Sequence, residues 1–161
     1  MIGIIGAMQI EVDYLLEEMQ SKKSKIISGI EYINGQMSGR EVVVAKCGIG
    51  KVFAAMCTQT MILEYKPDVI INTGVSGGMI NETSINDVII AENVVQYDMD
   101  TSFLGDRVGM ISGIDLVHIP CGKKTAARLD EVMKHMNVNH KLGTIATGDK
   151  FISDSNEIER I

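Results

Sequence analysis

Four segments of the chain combine glycine with side chains that can bind a ligand or take part in a reaction. They are residues 3–11, 46–51, 72–78 and 147–152. Each lies where a short apolar run, of the kind that forms a buried strand, comes to an end. Ligands of open α/β sheets bind beyond the carboxyl ends of the strands, so we expect these segments to supply a site.

Glu11 is the candidate for a general base in the first segment. The apolar run at 2–5 ends at Gly6, and from Met8 the apolar residues recur at helical spacing. At about 100° per residue, Glu11 lies roughly 60° from Met8, at the edge of the apolar stripe. A carboxylate there is partly desolvated, which is the condition for a base that works near neutral pH. The alternative, which the pattern alone favours, is a solvated glutamate in the first turn of a helix.

The second segment contains a turn that opens a helix, Gly48-Ile49-Gly50-Lys51. It resembles a phosphate-binding loop, but the pattern Gly-x-x-x-x-Gly-Lys-Ser/Thr is absent. A tight turn between a strand and a helix is therefore the favoured interpretation.

The third segment, from Asn72 to Gly78, places three glycines, a serine and a threonine at a strand end. Their backbone amides can form a nest for an anion, a ribose hydroxyl or a bound water. We favour a functional role for this segment, since loops at strand ends commonly carry binding sites.

The fourth segment carries Phe151, one of three phenylalanines in the chain. An aromatic ring in a loop offers a stacking face for a flat ligand. Packing of the same ring in the core is the alternative, and the sequence favours neither.

Strands and helices alternate along the chain. Apolar runs predict strands at 2–5, 25–32, 41–45, 68–72, 87–91 and 142–146, and helical spacing predicts helices from residue 8, over 52–65 and over 126–136. Turn signals at Asn34-Gly35 and Ser38-Gly39 make 25–46 an antiparallel meander. The pattern indicates an α/β fold, a three-layer sandwich around a mixed central sheet. The helix at 52–65 is apolar nearly all round, so we expect it to be covered on most sides.

Net charge, cysteine content and apolar runs disfavour several kinds of partner and site. The net charge is −6 and no basic run is longer than Lys22-Lys23, which disfavours nucleic acid as a partner. Cys47, Cys57 and Cys121 are an odd number without paired spacing, so we expect reduced thiols in the cytoplasm and no zinc site. No apolar run reaches the roughly 18 residues of a membrane helix, and we expect neither a membrane partner nor a cofactor.

The last residues predict the start of another helix. Asp154 can cap it, Glu157 can reciprocate three residues on, and Ile158 and Ile161 begin an apolar stripe. Such a helix is too short to be stable alone, since an isolated helix needs roughly 12–15 residues. We therefore expect residues 1–161 to form a single but incomplete domain.

Together the four segments resemble one family in order and spacing, the 5′-methylthioadenosine/S-adenosylhomocysteine nucleosidases of the purine nucleoside phosphorylase-like superfamily. The resemblance runs from the first residue to the last, as for the N-terminal two-thirds of such a protein. Its motifs are Gly3-Ile-Ile-Gly-Ala-Met8 with Glu11, Gly48-Ile-Gly50-Lys51, Pro67-Asp-Val-Ile-Ile-Asn-Thr-Gly74 and Gly148-Asp149-x-Phe151-Ile152. The implied activity is hydrolysis of the N-glycosidic bond of both nucleosides, which releases adenine in methionine salvage.

The resemblance implies roles near the ribose. Glu11 would activate the water that attacks the anomeric carbon, and Met8 would line the ribose side of the pocket. The turn of Val75, Ser76 and Gly77 would face the ribose and the attacking water.

It also implies how the rest of the nucleoside is bound. Phe151 would stack on adenine, and the backbone of Ile152 would hydrogen-bond to the Watson–Crick edge of the base. The loop from Thr101 to Leu104 would approach the thio-substituent in the neighbouring subunit of a homodimer.

Two further groups of the family, a ribose anchor from a Met-Glu-Met-Glu-like segment and an acid from a Ser-Asp pair, are expected beyond Ile161. We therefore expect residues 1–161 alone to be inactive or weakly active, since expelling adenine needs an acid. Three hypotheses stay open. They are a nucleosidase, a non-catalytic folded fragment that only binds nucleoside or oligomerises, and a related purine nucleosidase or phosphorylase with another nucleoside.

Overall fold

The computed structural model describes residues 1–79 and 83–159. The chain divides into two compact units, Met1–Ser76 and Gly77–Ile161. Each unit has its own mixed sheet, so the predicted α/β class with mixed strand directions is confirmed. The strands described form two hydrogen-bonded sheets, where the sequence predicts one central sheet.

The first unit has five strands and two helices. They are β1 (Ile2–Gly6), α1 (Gln9–Glu18), β2 (Gln20–Ile27), β3 (Ile30–Met37), β4 (Arg40–Lys46), α2 (Lys51–Tyr65) and β5 (Val69–Asn72). The strand order is β2-β3-β4-β1-β5. Strands β2, β3 and β4 form the predicted antiparallel meander, and β1 runs parallel to both β4 and β5.

Strand β4 carries the core of the first unit. Its side chains alternate between the two faces of the sheet, as they must in a strand. Val42 and Val44 pack in one buried cluster with Val12 of α1, whereas Val43 packs in another with Met61 of α2. One helix therefore covers each face of this sheet, which gives the first unit three layers. Strand β4 is more buried than β5, which among the described strands pairs with β1 alone.

The predicted strand at 25–32 is wrong, because the hairpin turns at Ser28-Gly29. Both residues adopt left-handed backbone angles, with φ of 51° and 80°, which suit a two-residue hairpin turn. Asn34-Gly35 instead lies inside β3. A Cβ atom on Gly35 would lie 2.5 Å from the carbonyl oxygen of Gln20, so this glycine permits a close approach of two strands.

Helix α2 begins at Lys51 and ends at Tyr65, close to the predicted bounds. Only Cys57 and Met61 are buried along it. Its exposed apolar side chains are Val52, Phe53, Met56, Ile62 and Leu63. Within the single chain the helix is therefore covered on one side, not on most sides as predicted.

The second unit has three strands and two helices. They are β6 (Val88–Gln96), β7 (Ile119–Pro120), α3 (Lys123–His135), β8 (His140–Thr147) and α4 (Ser155–Ile158), with a short 3₁₀ helix at Ser102–Leu104. The strand order is β7-β6-β8, with β6 antiparallel to β7 and parallel to β8. Strand β6 continues to Gln96, although the sequence predicts its end at Ala91. The two-residue strand β7 is not predicted from the sequence.

The cap predicted at Asp154 is confirmed. Its Oδ1 atom accepts a hydrogen bond from the amide of Asn156 at 2.8 Å. The Glu157 carboxylate pairs with the ammonium of Lys150, and in the described residues no hydrogen bond from it back to Asp154 is seen, contrary to the prediction. The continuation of the apolar stripe at Ile161 lies outside the described residues. Over 1–79 and 83–159, no helix is long and apolar enough to cross a membrane.

Candidate active site

Three of the four segments begin at one edge of the first sheet. Strand β1 pairs in parallel with β4 so that Gly6 lies opposite Lys46, and with β5 so that Ile5 lies opposite Asn72. The carboxyl ends of these strands therefore coincide. This edge is where an open α/β sheet binds its ligand.

The second unit repeats this arrangement with β6 and β8. Gln96 lies opposite Thr147 in a parallel pair. The loop after β6, which carries Thr101 and Leu104, therefore starts beside the segment that carries Phe151.

The Glu11 carboxylate is held by three backbone amides. Its Oε2 atom accepts hydrogen bonds from Ala7 at 2.8 Å and Met8 at 2.9 Å. Its Oε1 atom accepts one from Val75 at 3.0 Å. The carboxylate therefore has contacts beyond those of a solvated glutamate in a first helical turn, and its role as a base stays a prediction. It caps the first turn of α1 like a structural glutamate, but it also reaches the segment after β5, where a ligand is expected.

The Glu11 carboxylate keeps capacity for one more hydrogen bond. A carboxylate has about four acceptor positions, two on each oxygen. Within the described part of the chain, the amides of Ala7 and Met8 fill both positions on Oε2, and Val75 fills one on Oε1. The remaining position on Oε1 can accept a proton from a water molecule, as a general base requires.

Gly74 is a site residue that the sequence analysis missed. A Cβ atom at this position would lie 2.7 Å from Oε1 of Glu11, so any side chain would displace the carboxylate. The sequence shows three glycines after the strand at 68–72 and predicts a nest of backbone amides there, but it gives no sign that Gly74 meets a carboxylate. The residue is needed for a close approach of a carboxylate to backbone.

The other residues predicted around Glu11 are placed as follows. Met8 lies at the N-cap position of α1 and Val75 contacts the carboxylate through its amide. Ser76 is exposed at the end of the first unit, and Gly77 begins the second. The structure thus brings Met8 and Val75 directly to Glu11.

The turn at 46–51 is tight, with φ of 93° at Gly48 and 106° at Gly50. Cys47 of this segment is buried, and burial raises the pKa of its thiol, with a further increase from the Glu11 charge. A buried thiol with a raised pKa is unreactive at neutral pH. The segment therefore closes the strand end next to the carboxylate and adds no nucleophile from Cys47.

Phe151 is 91% exposed, so its packing in the core is excluded for the described chain. Its segment has no regular structure between β8 and α4. Two residues directly after β6, Tyr97 and Asp98, hydrogen-bond to the backbone just before Phe151. The sequence analysis missed both, because it ended this strand at Ala91.

The loop after β6 presents apolar side chains to solvent. The Thr101 hydroxyl donates a hydrogen bond to Asp106 at 2.7 Å, which closes the loop at its base. Phe103 is fully exposed and Leu104 is largely exposed. The loop can therefore present an apolar surface to another molecule.

Residues 1–161 contain one Ser-Asp pair, Ser153-Asp154. The Asp154 carboxylate already accepts a hydrogen bond at the start of α4. It acts there as a helix cap. In the described residues no group of three or more His, Cys, Asp or Glu side chains could hold a metal ion.

Glu11 lies at the carboxyl ends of parallel strands, where proteins with open α/β sheets bind small molecules. The sequence model of the phosphorylase superfamily matches residues 1–161, and the chain belongs to that superfamily. The resemblance predicted from the four motifs is thereby confirmed.

The chain is also similar over most of its length to individual curated proteins. The chain is 42% identical, over 95% of its length, to the 5′-methylthioadenosine/S-adenosylhomocysteine nucleosidase of Shewanella halifaxensis, and covers 66% of that protein. It thus spans about two thirds of the length of the curated relatives that it matches.

Solved structures agree with this comparison. The S-adenosylhomocysteine nucleosidase of Streptococcus pyogenes, in complex with 5-methylthiotubericidin, matches 99% of the chain and is covered over 67% of its own length, with a TM-score of 0.94 and 31% identity. Futalosine hydrolase of Helicobacter pylori matches 98% of the chain and is covered over 68%, with a TM-score of 0.93 and 30% identity.

Proposed function

We propose that the full-length protein hydrolyses the N-glycosidic bond of 5′-methylthioadenosine and S-adenosylhomocysteine and releases adenine, as a step of methionine salvage. The observation that carries the proposal is the Glu11 carboxylate, fixed by three backbone amides with one acceptor position left on Oε1. The names of the relatives supply the substrate class.

The chemistry assigned to Glu11 is the activation of water. The water oxygen forms a bond to the anomeric carbon, and its proton passes to Oε1. The bond from that carbon to the purine nitrogen breaks, and its electron pair leaves with the base. The leaving adenine takes up a proton from an acid, which the family resemblance assigns to an aspartate outside residues 1–161.

Binding of the base is assigned to Phe151 and Ile152. The exposed ring of Phe151 is free to stack on a purine, which is a flat aromatic ligand. The Ile152 backbone would read the Watson–Crick edge of adenine. On the ribose side, Met8 and the turn of Val75, Ser76 and Gly77 would contact the sugar.

The proposed assembly is a cytoplasmic homodimer. The exposed apolar side chains of α2 need a cover, and a second copy of the chain provides one of matching character. The exposed loop from Thr101 to Leu104 would then approach the thio-substituent bound in the neighbouring subunit. The thiols of Cys47, Cys57 and Cys121 are free, in keeping with a reducing compartment.

A second candidate is a related nucleosidase or phosphorylase with another nucleoside. It is favoured by the futalosine hydrolase structure, which is about as similar to the chain as the adenosylhomocysteine nucleosidase is. A non-catalytic nucleoside-binding protein is the third candidate, because Phe151 and Ile152 could bind a base without turnover.

The test is base release by the purified full-length protein, measured by chromatography. The substrates are methylthioadenosine, adenosylhomocysteine and futalosine, each with and without inorganic phosphate. We expect adenine from the first two at one turnover per second or more, in the usual enzyme range, without need of phosphate. Turnover that depends on phosphate would indicate a phosphorylase, and preferred cleavage of futalosine would indicate a nucleosidase with another nucleoside as its substrate. Binding of the nucleosides without release of the base would indicate a non-catalytic binding protein.

A further inference from the structure

The segment that carries Phe151 is attached to the end of β6 by two side chains. The hydroxyl of Tyr97 donates a hydrogen bond to the carbonyl oxygen of Lys150 at 2.7 Å. The carboxylate of Asp98 accepts one from the amide of Asp149 at 2.9 Å. Both bonds reach backbone atoms, so they fix the path of the chain directly before Phe151.

The ring of Tyr97 adds a third constraint. A Cβ atom at position 148 would lie 2.6 Å from Cε1 of this ring, so the ring lies close to Gly148 and leaves no room for a side chain there. The amide of Tyr97 also donates to the carbonyl of Thr147 at 3.1 Å. Tyr97 therefore contacts the backbone at Thr147, Gly148 and Lys150.

The Phe151 side chain itself is scarcely packed against the described part of the chain. Its ring is almost fully exposed, and the segment from 148 to 154 lies in neither a helix nor a strand. An exposed loop samples many conformations unless its backbone is held. The position of the ring thus depends on the residues before it.

We propose that Tyr97 and Asp98 are positioning residues for the purine, which fix the Phe151 ring and the Ile152 backbone in a geometry that accepts the base. The inference rests on the proposed function, because it assumes that this segment binds a purine. A preorganised loop binds more tightly, since less ordering is needed when the ligand arrives.

Tyr97→Phe in the full-length protein tests the proposal. This change removes the hydroxyl and leaves the ring against Gly148. One hydrogen bond is worth about 0.5–1.5 kcal/mol, so we expect the Kd for free adenine and the KM for methylthioadenosine to rise roughly two- to tenfold. The kcat should stay within about twofold, because ground state and transition state lose the same contact.

Hydrogen exchange of the backbone amides at 149–152 tests the attachment without any ligand. In Tyr97→Phe these amides should exchange several-fold faster, while amides in the central strand β4 stay unchanged. Asp98→Ala, at an exposed side chain, should give the same pattern, and Asp98→Asn should restore it in part because an amide oxygen still accepts.

Tyr14→Phe is the matched control. It removes the same hydroxyl from a tyrosine that is 70% exposed on α1, and it should change neither the exchange nor the KM.

These experiments distinguish a failure of the positioning role of Tyr97 and Asp98 from a failure of the proposed function. The inference is overturned if Tyr97→Phe matches Tyr14→Phe in both exchange and KM, or if kcat falls while KM is unchanged. The proposed function is overturned, and the purine role of the segment with it, if the wild-type protein neither binds adenine nor releases it from methylthioadenosine. Exchange at 149–152 that still responded to Tyr97→Phe and Asp98→Ala would then show that the failure lies in the proposed function and not in the attachment of the segment.

Discussion

The backbone amide of Val75 donates a hydrogen bond to Oε1 of Glu11 over 3.0 Å, and this bond joins α1 to the segment after β5. The residue before it, Gly74, has no side chain in the place that the carboxylate occupies. The base candidate is thus positioned by a glycine and an amide that are more than sixty residues away along the chain.

Gly74→Ala should lower turnover more than it lowers stability. The added methyl group would meet Oε1 at 2.7 Å, and the carboxylate, at the end of a flexible side chain, would move away. A displacement of about 1 Å in a catalytic group can cost roughly 10²-fold in rate, so we expect kcat for adenine release to fall by that order. Steady-state kinetics and thermal unfolding of the full-length protein measure the two effects.

Gly143→Ala is the control for this change. A Cβ atom there would lie 3.5 Å from Cγ2 of Ile89, an ordinary contact, so activity should be retained. If Gly74→Ala kept kcat within a few-fold of wild type, the packing of Gly74 against Glu11 would have no bearing on the reaction.

Leu63→Glu should shift the protein from dimer to monomer. Leu63 is 64% exposed on α2 and lies on about the same helical face as Val52 and Met56, away from the buried Met61. A charge on this face would have to be desolvated in an interface. Light scattering at micromolar concentration measures the mass, and Ile26→Glu on β2, at a side chain that is 71% exposed, is the control. A wild-type monomer would contradict the proposed homodimer.

His140 of β8 has a hydrogen-bond partner at each ring nitrogen, and the partner at Nε2 lies on α3. Nδ1 lies 2.8 Å from the carbonyl oxygen of Val138, and Nε2 lies 3.0 Å from Oδ1 of Asp130. Only a protonated imidazole can donate at both positions. The hydrogen bond to Val138, and then the one to Asp130, raise the pKa of His140. The nearby Lys134 and His140 lower the pKa of Asp130.

Stability from these two hydrogen bonds of His140 should decrease as the pH rises. A raised pKa in the folded state means that the contribution is complete below the unfolded pKa of about 6.5 and is lost as the pH rises through the folded value. His140→Gln should therefore lower the unfolding temperature most between about pH 5 and 6, and less at about pH 8. Thermal unfolding across this range measures it, with the exposed His135→Gln as control. A difference that grew with pH would show that His140 is neutral in the folded protein.

Much of the architecture follows from local pattern. The run at 2–5, the meander and the strand at 142–146 are all present, because apolar alternation and turn residues act within a few residues of each other. The misplaced hairpin turn shows the limit of this reasoning. Two glycine-containing pairs, at 28–29 and 34–35, are available, and the local pattern does not show that Gly35 is needed for the close approach of Gln20 while 28–29 forms the turn.

The site could be predicted only as far as its segments. The helical edge position of Glu11 and the strand-end glycines are visible in the sequence. The amides that hold Glu11 are not, because a backbone donor leaves no trace in residue type and Val75 follows a strand that is distant in the sequence. Tyr97 was missed for a related reason, since the mixed polar residues from 92 to 97 hide the second half of β6.

Adenine release by Glu11→Gln is the most direct test of the central claim. The variant keeps the size of the side chain, but its amide group cannot act as a base. Its NH₂ group would also face one or more of the backbone amides that donate to the Glu11 carboxylate. Glu17→Gln, at an exposed position on the same helix, is the matched control, and thermal unfolding of both variants checks the fold. With the full-length protein and methylthioadenosine as substrate, the kcat of Glu11→Gln should be about 10²–10⁴-fold lower than that of the wild type. The kcat of Glu17→Gln should equal that of the wild type. Turnover of a folded Glu11→Gln within a few-fold of wild type would contradict the assignment of Glu11 as the base.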